Sequence, residues 1–197
     1  NSRVAALAQL LTMRVRLYSA ESGDWSDEAL RMANEAIPLF ERLGAHRELA
    51  RAWRLMGLVH GIAARYGQSS DAVSRSITHA RLAGDERLIT RNSTGLASST
   101  LLGPTPVPQA IERCEQMIAG GLGDRQAESK ILCALAQLRA MNGEFDQART
   151  LYRQGRDLLR ELGQGLNAAS TGIDILLVES LAGDLVAAER EVMPDYQ

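Results

Sequence analysis

The sequence predicts an all-α fold, a right-handed α-α superhelix of about five antiparallel helix pairs forming one repeat domain over residues 1–197. Three observations carry this. Apolar residues recur at three- and four-residue spacings along nearly the whole chain, and no segment alternates with period two for long enough to build a sheet. The apolar fraction is 45% while only 4% of residues are aromatic, so Ala and Leu supply the core, which favours close-packed helices over a β-sandwich. Helix-stop signals return at intervals: Leu43-Gly44, Leu82-Ala83-Gly84-Asp85, Leu122-Gly123-Asp124, Leu162-Gly163 and Leu181-Ala182-Gly183-Asp184. Gly after a helix takes the left-handed conformation in which a side chain would be strained.

In the first pair, residues 1–44, Val4, Leu7, Leu11, Val15 and Tyr18 read as one helix face. Ala29, Ala33, Ala36, Ile37 and Phe40 mark a second helix from Asp27 to Leu43, in which Pro38 predicts a kink or an early stop. The second pair, 45–84, opens on Trp53-x-x-Met56-Gly57-x-x-His60, and Gly67 leads to Ala72 in its second helix. The third, 85–123, contains Asn92-Ser-Thr-Gly-Leu-Ala-Ser-Ser-Thr100, an intrinsically weak helix whose small residues favour close packing over a polar groove. It turns at Gly103-Pro-Thr-Pro-Val-Pro-Gln-Ala110, a rigid corner rather than a site. Pro108 suits a first helical turn and should hold Val107 outside the helix.

The fourth pair, 124–163, carries the clearest unit, Gly143-Glu-Phe-Asp-Gln-Ala-Arg-Thr-Leu-Tyr-Arg-Gln-Gly155. Gly permits the turn, Phe145 packs beneath it, Ala148 allows close helix approach and Tyr152 fills the adjoining space. Gly183-x-Leu185-x-x-Ala188-x-x-x-Val192 repeats it in the fifth pair, 164–197. Aligning Ala29, Ala72, Ala110, Ala148 and Ala188 gives separations of 43, 38, 38 and 40 residues. Each pair would bury its apolar face on its neighbours in one continuous core.

Chemistry-bearing patterns are sparse. Net charge is −2, so no strong field draws the chain to nucleic acid or to an acidic membrane surface. Cys114 and Cys133 are too few and too far apart for a disulfide framework or a zinc motif, which suits a reduced, cytoplasmic setting. Cys114 takes the slot of Tyr152 one repeat earlier, so a buried, inert thiol is expected there. His46, His60 and His79 lack metal-ligand spacing. Ala119-Gly-Gly-Leu-Gly-Asp124 lacks the Gly-Lys-Ser/Thr of a phosphate loop and reads as a helix terminator. The expectation is a non-catalytic chain with no cofactor and no metal. It opens Asn-Ser-Arg-Val in a helical pattern, as a segment of a longer protein would.

The first helices of stacked pairs line a concave surface, the usual ligand face of a solenoid. Projecting the repeat places Arg54, Asn92, Ser99, Lys130 and Gln137 near it as candidate groove residues, with a solvated face as the plainer reading of each. The turn-and-helix pattern of 143–155 resembles the tetratricopeptide repeat, whose arrays mainly scaffold protein–protein interactions. Gly103–Met117 and Ala134–Gly163 further resemble the C-terminal repeat region of large bacterial cytosolic regulators. Those regulators join a nucleotide-cyclase or DNA-binding output domain and an AAA-type ATPase to such an array. The resemblance implies a sensor or interaction array of a signalling or transcriptional regulator, binding a protein, a peptide or a small-molecule effector and acting on a neighbouring ATPase or output domain. The alternative is a stand-alone scaffold or adaptor; a chaperone-tail clamp is disfavoured because Lys130 is the sole lysine.

Overall fold

A computed structural model describes residues 2–17, 25–121 and 123–192, Val192 by its backbone alone. Tyr18, Leu122 and the side chain of Val192, three positions of the predicted pattern, lie outside the described residues. The chain is all-α. Among the described residues there are eleven helices and no strand: α1 (Ser2–Arg16), α2 (Trp25–Arg42), α3 (His46–Ile62), α4 (Tyr66–Leu82), α5 (Glu86–Leu102), α6 (Val107–Ala119), α7 (Arg125–Met141), α8 (Phe145–Glu161), α9 (Gly165–Ser170), α10 (Gly172–Ala182) and α11 (Leu185–Val192). Helices joined by short turns pack on their chain neighbours, the arrangement of a helical-repeat superhelix. Two compact units result, Asn1–Ser99 and Thr100–Gln197.

The first unit centres on Leu10, Met13, Ala29, Ala33, Ala36, Phe40, Leu49, Leu55 and Val59, from α1, α2 and α3. The stripe of α1 is rotated from its expected position. Leu10 and Met13 are buried and Ala6, Leu7 and Leu17 pack against the cluster, while Val4 and Val15 are mostly exposed. Both stripes have helical spacing, and only contact with α2 and α3 selects between them. In α2 the predicted small residues are buried as expected, and the helix runs unbroken through Pro38, without the early stop.

The turn between α3 and α4 corrects the sequence alignment. Gly67 is the second residue of α4, not the turn residue. The left-handed position belongs to Ala64, φ 55°, two residues before the helix, as Gly143 stands before α8 and Gly183 before α11. The fourth helical residue, Ala110 in α6, Ala148 in α8 and Ala188 in α11, is therefore Ser69 in α4 and not Ala72. Gly57 confirms the crossing point: a Cβ there would lie 2.6 Å from Val73 Cγ2 and 3.5 Å from the Ser69 carbonyl. Counted from Ser69, the Trp53–His60 signature and the second helix share one register.

Helix starts also differ slightly from expectation. Val107 is the first residue of α6, with Pro106 as its N-cap and Pro108 within the first turn. The break therefore comes one residue earlier, at Pro106. The aspartates of the Gly-Asp stop signals turn out to start the next helix: Asp85 accepts from Leu88 N, Asp124 from Gln126 N and Ala127 N, and Asp184 from Ala187 N, all at 2.9–3.1 Å.

At the equivalent point of two helix crossings a hydroxyl is aimed at a carbonyl. Between α3 and α4, Ser76 Oγ donates to the Ala50 carbonyl at 2.5 Å. Between α7 and α8 the roles are exchanged, and Ser129 Oγ donates to the Gly155 carbonyl at 2.7 Å. Ala50 and Ser129 are both the fifth residue of their helix, Ser76 and Gly155 both the eleventh. In the second unit Ala136, Ala140, Ala148, Tyr152, Ile175 and Val178 form a cluster joining α7, α8 and α10, with Phe145 and Leu151 packed against it.

Candidate functional site

The predicted groove residues divide between the units. In the first, Arg54, Asn92 and Ser99 are tied into the helix packing. Asn92 is fully buried. Its Oδ1 accepts from Arg54 Nη1 at 2.6 Å and its Nδ2 donates to Ser76 Oγ at 2.6 Å, so the relay runs from Arg54 of α3 through α5 and α4 to the Ala50 carbonyl. Ser99, also buried, lies 2.8 Å from Ser69 Oγ, which donates to the Gly57 carbonyl at 2.9 Å. These hydroxyls and the amide replace the apolar contacts that a stronger helix former would make. The Asn92–Thr100 stretch thus packs, as expected, with Asn92, Ser93, Ser99 and Thr100 all buried.

In the second unit Lys130 is exposed and Gln137 is half-buried. Gln137 Nε2 donates to Asp174 Oδ1 at 2.7 Å, bridging α7 and α10. Asp174 also takes a hydrogen bond from Cys133, and burial raises its carboxyl above the usual range against that bond. Burial first, then the Asp174 charge, pushes the Cys133 thiol far up. The Cys114 thiol is pushed up to about 12, by burial and then by Glu115. Neither sulfur is a nucleophile at neutral pH.

The structure adds a feature that the repeat projection missed. A groove of about 420 Å³ in the second unit is lined by Glu115 of α6, Leu135 and Arg139 of α7, and Asp146, Gln147, Thr150, Leu151 and Gln154 of α8. Its walls are organised by Arg139, whose two guanidinium nitrogens donate to Glu115 and to Glu144. Leu135 and Leu151 give it apolar surface, while the amides of Gln147 and Gln154 and the Thr150 hydroxyl provide donors and acceptors. Lining charge is two carboxylates, Glu115 and Asp146, against the one guanidinium of Arg139. The signal was present in sequence: 147, 150, 151 and 154 fall on one helix stripe. It was hidden because Glu115 and Arg139 come from two other helices.

No family model and no curated protein matches the chain.

The histidines hold a different arrangement. His46 Nδ1 and His79 Nδ1 are 3.2 Å apart with ring centroids at 5.3 Å and planes inclined by 19°. Rings so placed meet end to end and share one N–H···N hydrogen bond, which both cannot satisfy when fully protonated. Burial and then the His46 neighbour hold His79 below the ordinary imidazole range. His60 accepts from Arg65 Nε at 3.1 Å and is likewise lowered, by burial and then by that guanidinium. Among the described residues no group of three or more potential metal ligands converges, and no helix is long and apolar enough to cross a membrane.

Proposed function

We propose that this chain is a non-catalytic interaction array, and that the α6–α7–α8 groove receives a short protein segment pairing an aliphatic side chain with a basic one. The groove itself carries the reading. Its apolar surface from Leu135 and Leu151 suits an aliphatic anchor, its amide and hydroxyl rim suits a peptide backbone, and its acidic excess favours a cation. Arg139 is already engaged by two carboxylates, so an incoming anion would compete with both.

The wider role rests on the resemblance to regulator repeat arrays: a cytoplasmic sensor array of a bacterial signalling or transcriptional regulator, passing occupancy to a neighbouring ATPase or output domain. A random peptide library displayed against the purified chain tests the binding role. Enriched peptides should share an aliphatic–basic pair and lose at least tenfold in affinity against Leu151→Glu or Asp146→Arg, by calorimetry. Peptides that bind both variants as tightly as the parent chain would refute the groove. For the regulatory role, deleting the array from the full regulator should change its output; an unchanged output refutes that part.

A further inference from the structure

The net charge of −2 conceals an uneven distribution. Over residues 1–99 thirteen arginines stand against ten carboxylates, and over 100–197 nine cations stand against fourteen. Much of the first unit's excess lies on one face of two helices. Arg47 and Arg51 are the second and sixth residues of α3, and Arg87 and Arg91 are the second and sixth of α5. Arg54, one turn beyond Arg51, continues the first stripe. The other sides of both helices are packed: Leu49, Ala52 and Val59 of α3 and Asn92, Ser93 and Thr100 of α5 are buried, whereas Arg47, Arg87 and Arg91 are exposed.

The two stripes adjoin. Arg54 Nη1 reaches both Asn92 Oδ1 at 2.6 Å and the Arg91 carbonyl at 3.4 Å, and Arg47 Nε meets the Asp85 carboxylate, just before α5, at 3.4 Å. Asp85 is thus engaged, Glu48 is buried and paired with Arg3 at 2.6 Å, and Glu86 stands exposed at the first position of α5. Among the described residues, Arg51, Arg87 and Arg91 have no carboxylate within ion-pair distance. Like charges one turn apart destabilise a helix. Here that pair recurs at the same two places of two neighbouring helices, so five guanidiniums gather with fewer carboxylates than they can hold.

We infer that this α3–α5 face binds an acid-rich segment of a partner protein, whose Asp and Glu side chains are received by Arg47, Arg51, Arg87 and Arg91. Charge complementarity selects a polyanion, and three observations select carboxylates over a nucleic acid. A carboxylate, that of Asp85, already occupies one guanidinium of the face. Leu58, Thr94 and Ser98 continue the stripes, so no aromatic ring is offered for a base to stack on. The fourteen carboxylates of residues 100–197 repel a long phosphate backbone, whereas a short segment engages the first unit alone. Guanidiniums on successive turns of a helix, with Cβ atoms about 5–6 Å apart, also match carboxylates spaced one turn apart on a partner, and each can take one through two parallel bonds. This face is separate from the α6–α7–α8 groove, whose acidic excess favours the opposite charge.

Fluorescence anisotropy on the 197-residue chain tests this, with a labelled peptide of alternating Glu and Ala as the probe. Its Gln-for-Glu counterpart and a single-stranded oligonucleotide of equal charge are the comparisons. The acidic peptide should bind best of the three, and its binding should weaken steadily as salt rises. Arg87→Glu/Arg91→Glu should weaken it at least tenfold, and Arg87→Gln/Arg91→Gln should weaken it to a lesser degree, both with the parent helical circular dichroism. Arg113→Glu/Arg153→Glu, the same charge change at exposed sites of the second unit, should alter it less than twofold. An acidic peptide bound no better than its Gln counterpart overturns the inference, as does binding that both α5 variants leave unchanged. Equal losses in the two charge-matched Glu variants would reduce the effect to net charge and overturn it too. Tighter binding of the oligonucleotide would give the face to a nucleic acid instead.

Discussion

Replacing Asn92 by alanine decides whether this residue serves packing or a ligand. The side chain is fully buried and makes two 2.6 Å hydrogen bonds, one received from the Arg54 guanidinium and one given to the Ser76 hydroxyl. A bond involving a charged group is worth about 1.5–3 kcal/mol and a neutral one about 0.5–1.5 kcal/mol. Ser76 keeps its own bond to the Ala50 carbonyl, so the change leaves that hydroxyl's proton satisfied. Asn92→Ala should therefore cost about 2–4 kcal/mol, or roughly 5–15 °C in Tm for a chain of this length. Urea unfolding followed by circular dichroism measures it, with an unchanged m-value showing that the unfolded state is not the cause. A double-mutant cycle with Ser76→Ala should give a coupling of about 0.5–3 kcal/mol. A loss under about 0.5 kcal/mol, the size expected of a surface substitution, would refute the relay and return Asn92 to the ligand-facing groups.

Other outcomes derive from backbone geometry and titration. Ala64 holds φ 55° with a Cβ, so Ala64→Gly should stabilise the chain by about 1 kcal/mol; a thermal melt showing no gain would place the strain elsewhere. Gly155→Ala would set a Cβ 3.0 Å from both the Ser129 carbonyl and Cys133 Sγ, costing about 1–3 kcal/mol through separation of α7 from α8. At Gly95, where a Cβ meets nothing within 4 Å, the same change should gain about 0.5–1 kcal/mol of helix propensity, and equal effects at the two sites would contradict the close crossing. His60 and His79 have folded pKa values below their ordinary 6.5. The unfolded chain then binds more protons in that window, so stability should hold above about pH 7 and fall as the pH drops through 6.5 toward the folded values. Urea midpoints that stay level or rise between about pH 7.5 and pH 5.5 would reverse that sign.

Fold and site were legible to different degrees because they rest on different kinds of contact. Helices were visible wherever a period of three to four residues met a Gly-Asp boundary, since both are local: Gly supplies the left-handed turn and Asp caps the next helix. Register in the second repeat was not, because Ala64 takes a conformation that sequence reading reserves for Gly, and Gly67 then drew the alignment three residues too far. The stripe of α1 was misplaced because two faces of that helix are nearly equally apolar. Among the groove candidates, Asn92 and Ser99 were picked by projecting the repeat onto a concave face; the structure buries both, because their partners, Arg54, Ser76 and Ser69, lie on other helices and only packing brings them together. The α6–α7–α8 groove escaped notice for the same reason. Its eight lining residues look unremarkable in any single helix, and only packing brings Glu115 to Arg139.

The exchanged hydroxyls at the two helix crossings bear on how the chain chooses its own pairings while folding. Four helices of closely similar length and pattern could in principle pair in the wrong combinations. If α3 met α8, Ala50 would face Gly155 and the crossing would have no hydroxyl at all. If α4 met α7, Ser76 and Ser129 would stand opposite each other, two donors crowding a gap cut for one. Each hairpin is thus keyed to its own partner by where its serine hydroxyls stand, Ser69 and Ser76 on α4 in one and Ser129 on α7 in the other, and a transplant of one second helix into the other repeat should fail.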